Sequence, residues 1–65
     1  MQYFNSTAIW AASYNAPTMT LTIWFTSSGR SYDYYNVPPQ IWHGLQMASS
    51  AGEYFNHFIR DQYAA

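Results

Sequence analysis

Residues 19–26, MTLTIWFT, form the clearest pattern in the chain, because apolar and polar side chains alternate strictly along them. The apolar side consists of Met19, Leu21, Ile23 and Phe25, and the other side of three threonines and Trp24. Such a period of two, with β-branched and aromatic residues, is typical of a strand that is buried on one face. The rest of the chain must therefore supply neighbouring strands and a cover for the apolar face.

Two further strand candidates flank this segment. Residues 8–14 precede it across a turn that contains Asn15 and Pro17, and both residue types favour turns. Residues 30–37 follow it after Gly29, which suits a tight turn because glycine accepts a positive φ. Short connections of this kind join neighbouring strands as antiparallel hairpins. We therefore predict a three-stranded antiparallel sheet, β-β-β.

The sequence after the sheet has helical periodicity. Pro38 and Pro39 end the third strand and suit the first turn of a helix. The apolar residues that then recur at helical spacing are Ile41, Trp42, Leu45 and Ala48. Gly44 interrupts this helix and weakens it by about 1 kcal/mol relative to alanine.

A second helix begins with a capping-box sequence, in which the Ser50 hydroxyl accepts from the Glu53 backbone N–H. One stripe of this helix is predicted to contain Phe55, Phe58, Ile59 and Gln62 and to face the core. The predicted fold is α+β: a three-stranded antiparallel sheet followed by two short helices packed on one face, in a single domain over residues 1–65.

The composition limits how so short a chain is stabilised and what it binds. The 65 residues include no cysteine, which excludes disulfides, and His43 and His57 are too few for a structural metal site, so no metal or cofactor is expected. Aromatic residues make up 22% of the chain and charged residues only 8%, against about 25% charged residues in a typical soluble domain. An uncharged, aromatic surface marks contact sites and predicts a homo-oligomer or an obligate partner.

The charge argues against a basic-patch nucleic-acid binder. Arg30 and Arg60 are the only lysine or arginine residues, and the formal net charge is −1. Because nucleic-acid affinity draws heavily on phosphate neutralisation, two arginines supply little of it.

The sequence also predicts a cytoplasmic protein without a membrane segment. The N-terminus lacks the basic and apolar regions of a signal peptide, and the longest apolar stretches are far below a membrane span.

A set of spaced residues over residues 9–63 is more specific than the separate elements. It comprises Tyr14, Leu21-x-Ile23-x-Phe25, Gly29-x-x-Tyr32-x-Tyr34, Val37-Pro38 and Ala48-x-Ser50-x-Gly52-x-x-Phe55-Asn56-x-x-Ile59-Arg60-x-x-Tyr63. This pattern resembles the KTSC domain, a family named for the C-terminal region of lysyl-tRNA synthetase, and the block from Ser50 onward is its most specific part. The scarcity of basic residues departs from what a nucleic-acid-binding member would be expected to carry. Gly44 is a further departure, because a better helix former is expected at that helix position.

The resemblance implies a small stand-alone member, encoded by a phage or prophage, that binds nucleic acid. The family's association with tRNA synthetases implies that this nucleic acid is RNA. The residues expected to carry this binding are Arg60, Asn56, His57, Tyr63, Tyr35 and Arg30. Asn56 lies one helical turn before Arg60, so an amide and a guanidinium would face a phosphate or a base edge together. Alternatively, Arg60 pairs with an acidic residue, and the aromatic rings belong to the core or to an oligomer contact.

The alternative function is a self-associating protein-interaction module that acts on a host protein. Trp24 and Trp10 are the expected contacts, because Trp24 lies on the threonine side of the central strand. A nucleotide or small molecule bound between subunits is a third possibility. Catalysis is not expected, because the acidic residues Glu53, Asp33 and Asp61 form no pair and no nucleophile or phosphate-loop motif is present.

Overall fold

The computed structural model describes residues 1–63 as a sheet followed by two helices. The strands are β1 (Gln2–Tyr3), β2 (Ile9–Asn15), β3 (Thr20–Phe25) and β4 (Ser31–Tyr34), and the helices are α1 (Pro39–Met47) and α2 (Ala51–Phe58). The strands lie in the order β1-β2-β3-β4, and every neighbouring pair is antiparallel. The α+β class, the antiparallel sheet and the two helices are confirmed. The prediction of three strands is wrong, because the sheet has four.

The strand that the sequence did not reveal is β1. Gln2 lies opposite Ala12, and Tyr3 lies opposite Ala11. Two residues are too few to show an alternating pattern, and this strand forms only because the free edge of β2 offers backbone partners.

A β-bulge in β2 sets which of its residues face the helices. Ile9 pairs with Phe25 and Ala11 pairs with Trp24, so Trp10 is an extra residue on this strand. The extra residue shifts the alternation by one position. Ile9 and Ala12, which are three residues apart, are therefore both fully buried in the same core.

The turn between β2 and β3 corrects one detail of the predicted central strand. β3 begins at Thr20, and Met19 is an exposed turn residue with φ 54° rather than a member of the buried face. Its backbone N–H donates to the Ala16 carbonyl at 3.2 Å, and its carbonyl accepts from the Val37 N–H at 2.9 Å. These bonds hold Met19 in the left-handed region, which non-glycine residues seldom adopt.

Both helices pack on the same face of the sheet. Trp42 of α1 stacks on Tyr14 of β2, with ring centroids 5.8 Å apart, and α2 contributes Ala51 and Phe55 to the core. Phe58, expected on the buried stripe, lies on the flank of α2 with its ring 4.7 Å from that of Tyr54. No helix within the described residues is long and apolar enough to cross a bilayer.

Candidate nucleic-acid interface

The helices leave one end of the sheet's core face open, and a group of interlocked aromatic rings lines it. Phe25 is in edge-to-face contact with Tyr32 (centroids 5.7 Å apart, planes at 63°) and with Phe55 (5.2 Å, 73°). Phe55 also meets Tyr34 at 5.5 Å and 70°. Edge-to-face pairs are a favoured geometry for aromatic rings, so each ring holds the orientation of the next.

The positions of the two tyrosines follow from the register of β4. Tyr34 pairs with Leu21 and Tyr32 pairs with Ile23, so both tyrosines point to the core face. Tyr34 is buried, whereas Tyr32, nearer the open end of the sheet, keeps 44% of its surface exposed.

An open groove of about 630 Å³ runs between these rings and α2. We call it the α2 groove. It is lined by Ala8, Phe25, Ser27, Tyr32, Tyr34, Gly52, Phe55, Asn56 and Arg60. Its volume lies within the roughly 300–1,000 Å³ range of small-molecule sites, and one wall is apolar while the other carries polar groups.

The polar wall comes from the last turn of α2 and from the turn that follows the helix. Asn56 and Arg60 are exposed and four residues apart, and the Arg60 backbone N–H donates to the Phe55 carbonyl at 2.9 Å where the helix ends. Burial raises the pKa of Tyr34 above its ordinary value of 10.0, Tyr32 raises it further, and the positive charge of Arg60 opposes both. The guanidinium thus acts on the Tyr34 phenol, which stays protonated at neutral pH and keeps its O–H donor.

Gly52 brings α2 close to the start of β2. A Cβ added at Gly52 would lie 3.0 Å from the Ala8 Cβ and 3.8 Å from the Ser6 Oγ. The absence of a side chain permits this close approach and keeps that end of the α2 groove open.

The structure brings together two of the six residues predicted to bind nucleic acid. Arg60 and Asn56 both line the α2 groove. His57 lies next to Asn56 on α2 but is turned toward Phe58, with ring centroids 6.4 Å apart, and it is not part of the groove lining. Tyr63 is half-buried against the core.

The other two predicted residues lie elsewhere. Arg30 is exposed in the turn between β3 and β4, where its carbonyl accepts from the Phe25 N–H at 3.0 Å. Tyr35, which is 49% exposed, lines a separate concavity. Sequence reasoning missed Tyr32 and Tyr34 as site residues, although their spacing of two placed them on one face of a strand.

The separate concavity, of about 610 Å³, suits phosphate poorly. It is lined by Ser13, Tyr14, Asn15, Ala16, Pro17, Thr18, Thr20, Thr22, Asp33 and Tyr35. Asp33 accepts a hydrogen bond from the Thr22 hydroxyl at 2.7 Å. These described residues include a carboxylate and no cationic side chain, so the concavity would repel a phosphate.

The face of the sheet opposite the helices carries an aromatic row of Tyr3, Trp10 and Trp24. Trp10 stacks with Tyr3 at 6.1 Å and 25° and meets Trp24 at 6.4 Å and 54°. Tyr3 and Trp10 are exposed, and Trp24 is half-buried. Ala11, paired with both Tyr3 and Trp24 on this face, is fully buried, so the rings cover it. The predicted contact residues Trp10 and Trp24 are therefore neighbours.

Within residues 1–63, no group of three or more histidine and acidic side chains is placed to hold a metal ion.

The chain is a small α+β domain whose candidate surfaces, the α2 groove and the aromatic row, are aromatic and sparsely charged. The KTSC domain model matches residues 5–63, and the chain belongs to the KTSC domain family. The crystal structure of a KTSC domain protein from Yersinia pestis superimposes with a TM-score of 0.92 at 27% sequence identity, covering 97% of this chain and 87% of that one.

Relatives of two different lengths are similar in sequence to this chain. A lysine--tRNA ligase from Nostoc punctiforme is 45% identical over 51 residues, which are 78% of this chain and 9% of the ligase. A protein from Tsukamurella paurometabola is 37% identical over 65 residues, covering 100% of this chain and 96% of that protein. The chain thus corresponds to a small part of the ligase and to nearly the full length of the second relative.

Proposed function

We propose that this domain is a non-catalytic module that binds single-stranded RNA in the α2 groove. The observation that carries the proposal is the convergence of the Arg60 guanidinium and the Asn56 amide on a groove walled by aromatic rings. Arg60 binds a phosphate, and Asn56 offers both a donor and an acceptor to a sugar or a base edge. Tyr32 offers an exposed ring to a base.

Two considerations favour RNA as the ligand. The Nostoc relatives are lysine--tRNA ligases by name, and a segment of about the length of this domain is what they share with the chain. In addition, single strands are recognised largely by stacking of unpaired bases on aromatic rings, which suits a chain with 22% aromatic and only 8% charged residues.

The absence of catalysis is part of the proposal. Among the described residues that line the α2 groove there is no carboxylate or imidazole, the groups that most often transfer protons in enzymes. Asp33 lies in the separate concavity, and Glu53 is exposed in the first turn of α2.

A titration of the purified domain with a fluorescently labelled single-stranded oligonucleotide tests this function. We expect binding at low salt and a shallow salt dependence, with a slope of log K against log salt near −0.7, because one phosphate is neutralised and single strands give about that value per phosphate. Absence of binding to single-stranded RNA and to tRNA at low salt would refute the proposal.

Self-association is a second candidate function, and the aromatic row favours it. Three contiguous rings on the face of the sheet opposite the helices have the composition of an interface core. A second copy of the chain or a host protein would cover them.

Sedimentation velocity over a range of concentrations distinguishes this candidate. We expect Tyr3→Glu to convert an oligomer to a monomer, because the substitution places a charge on the 68% exposed end of the row. Met47→Glu, at an exposed apolar residue outside the row, should leave the oligomer intact. A wild-type protein that is monomeric at all concentrations would exclude self-association.

A further inference from the structure

Building on the proposed RNA binding, we propose that the α2 groove holds one nucleotide, with its phosphate on Arg60 and its base against the exposed ring of Tyr32. The ligand class is therefore a single nucleoside monophosphate unit, either free or at an accessible position of a single strand.

The positive charge in the α2 groove limits the number of phosphates that the groove can bind. Arg60 is the only charged side chain among the described residues that line it, and Arg30 lies outside in the β3–β4 turn. A second phosphate would therefore enter without a cationic partner. Tyr34 also lines the groove, and its phenol adds a hydroxyl donor to the contact that Arg60 makes with phosphate, which is charge-assisted and therefore strong.

The aromatic wall of the α2 groove determines where the base binds. Tyr32 is 44% exposed, and its edge-to-face contact with Phe25 fixes the plane of its ring. Phe25 and Phe55 are in turn locked together at 5.2 Å. A base that meets this wall therefore finds a ring that is already oriented, so little conformational freedom is lost on binding.

Asn56 lies on the opposite wall and completes the recognition. Its amide presents one acceptor and two donors, and it lines the groove together with Arg60. A base that is stacked on Tyr32 with its phosphate on Arg60 lies in the same groove as this amide, which can hydrogen-bond to the polar edge of the base.

Titration of the ¹⁵N-labelled domain with adenosine monophosphate, adenosine and ribose 5-phosphate tests the inference. We expect the monophosphate to shift the amide signals of Gly52, Asn56 and Arg60, and to bind about ten-fold more tightly than either fragment, because stacking and phosphate contacts each contribute. Equal binding of ribose 5-phosphate and the monophosphate would overturn the base contact. Shifts centred on the aromatic row would overturn the location.

Two tyrosines of similar exposure supply matched variants. Tyr32→Leu should weaken binding of the monophosphate about ten-fold through loss of stacking, whereas Tyr32→Phe, which keeps the ring, should bind like the wild type. Tyr35→Leu, at a residue 49% exposed in the separate concavity, should have no effect. Melting curves of all variants identify any loss of folding, and the Tyr32→Phe result then decides whether the ring is needed.

Competition separates this inference from the proposed function. If single-stranded RNA binds but the monophosphate does not compete for it, the one-nucleotide groove is wrong and RNA binding stands. If neither ligand binds, both proposals are wrong.

Discussion

Phe55→Ala is expected to remove a large part of the stability of the domain. The Phe55 ring is only 7% exposed and contacts both Phe25 and Tyr34. Truncating a buried phenylalanine costs about 3–5 kcal/mol, while a chain of this length has a total stability of roughly 3–10 kcal/mol. The free energy of unfolding from urea denaturation measures the loss.

Phe58→Ala is the matched control, because it is the same substitution one helical turn later. Phe58 is 50% exposed and packs beside Tyr54 on the flank of α2. We expect its loss to change the free energy of unfolding by less than about 1 kcal/mol, which is usual for partly exposed positions. Equal losses for the two variants would contradict the orientation of α2.

Gly44→Ala is expected to destabilise the domain, although alanine favours a helix over glycine by about 1 kcal/mol. A Cβ at this position would overlap the Tyr54 hydroxyl oxygen and would lie 2.6 Å from its Cζ atom. The Tyr54 ring, whose pKa is raised by burial and by Tyr63, would have to move. Overpacking of this kind costs about 1–3 kcal/mol, which we expect to exceed the gain in helix propensity.

Introducing Gly44→Ala into a Tyr54→Ala background tests this explanation, because its effect on the free energy of unfolding should then change sign. Without the ring, Gly44→Ala retains only its helix-propensity gain and should stabilise the domain by up to about 1 kcal/mol. Urea unfolding of the four proteins in this double-mutant cycle gives the coupling energy. The same sign of effect in both backgrounds would show that Tyr54 is not the reason for the glycine.

The local sequence pattern was sufficient to predict those elements whose pattern lies within the element itself. The alternation in residues 19–26 predicted β3, which spans Thr20–Phe25, because a half-buried strand imposes a period of two. Ser50 was predicted to cap α2, and its hydroxyl does accept from the Glu53 N–H, at 3.3 Å. Both features depend on residues that are close in sequence.

Features that depend on contacts between residues distant in sequence were not predicted. The two-residue strand β1 exists only through its pairing with β2, and the bulge at Trp10 is defined by the register with β3. Gly44 looked like a weak point of α1 because its reason, the ring of Tyr54, comes from the other helix.

The residues of the candidate site also divide into those that a local sequence pattern predicted and those that it did not. Asn56 and Arg60 were predicted to act together because residues four apart share a helix face, and the α2 groove contains both. Tyr32 was not chosen as a site residue, because its exposure depends on where the helices stop covering the sheet. Tyr35 was chosen, yet it follows the core-facing Tyr34 directly and lines the separate concavity instead.

We expect single-stranded RNA to bind in the α2 groove rather than to be attracted by the overall charge of the domain. Arg60→Ala and Arg30→Ala remove the same charge from the two basic residues of the chain, but only Arg60 lines the groove. Fluorescence anisotropy with a labelled single-stranded oligonucleotide at low salt is the most direct measurement. We expect Arg60→Ala to weaken binding at least ten-fold, since a hydrogen bond to a charged group contributes about 1.5–3 kcal/mol, and Arg30→Ala to bind nearly as the wild type does. Equal weakening by the two variants, or unchanged binding by Arg60→Ala, would contradict RNA binding in the α2 groove.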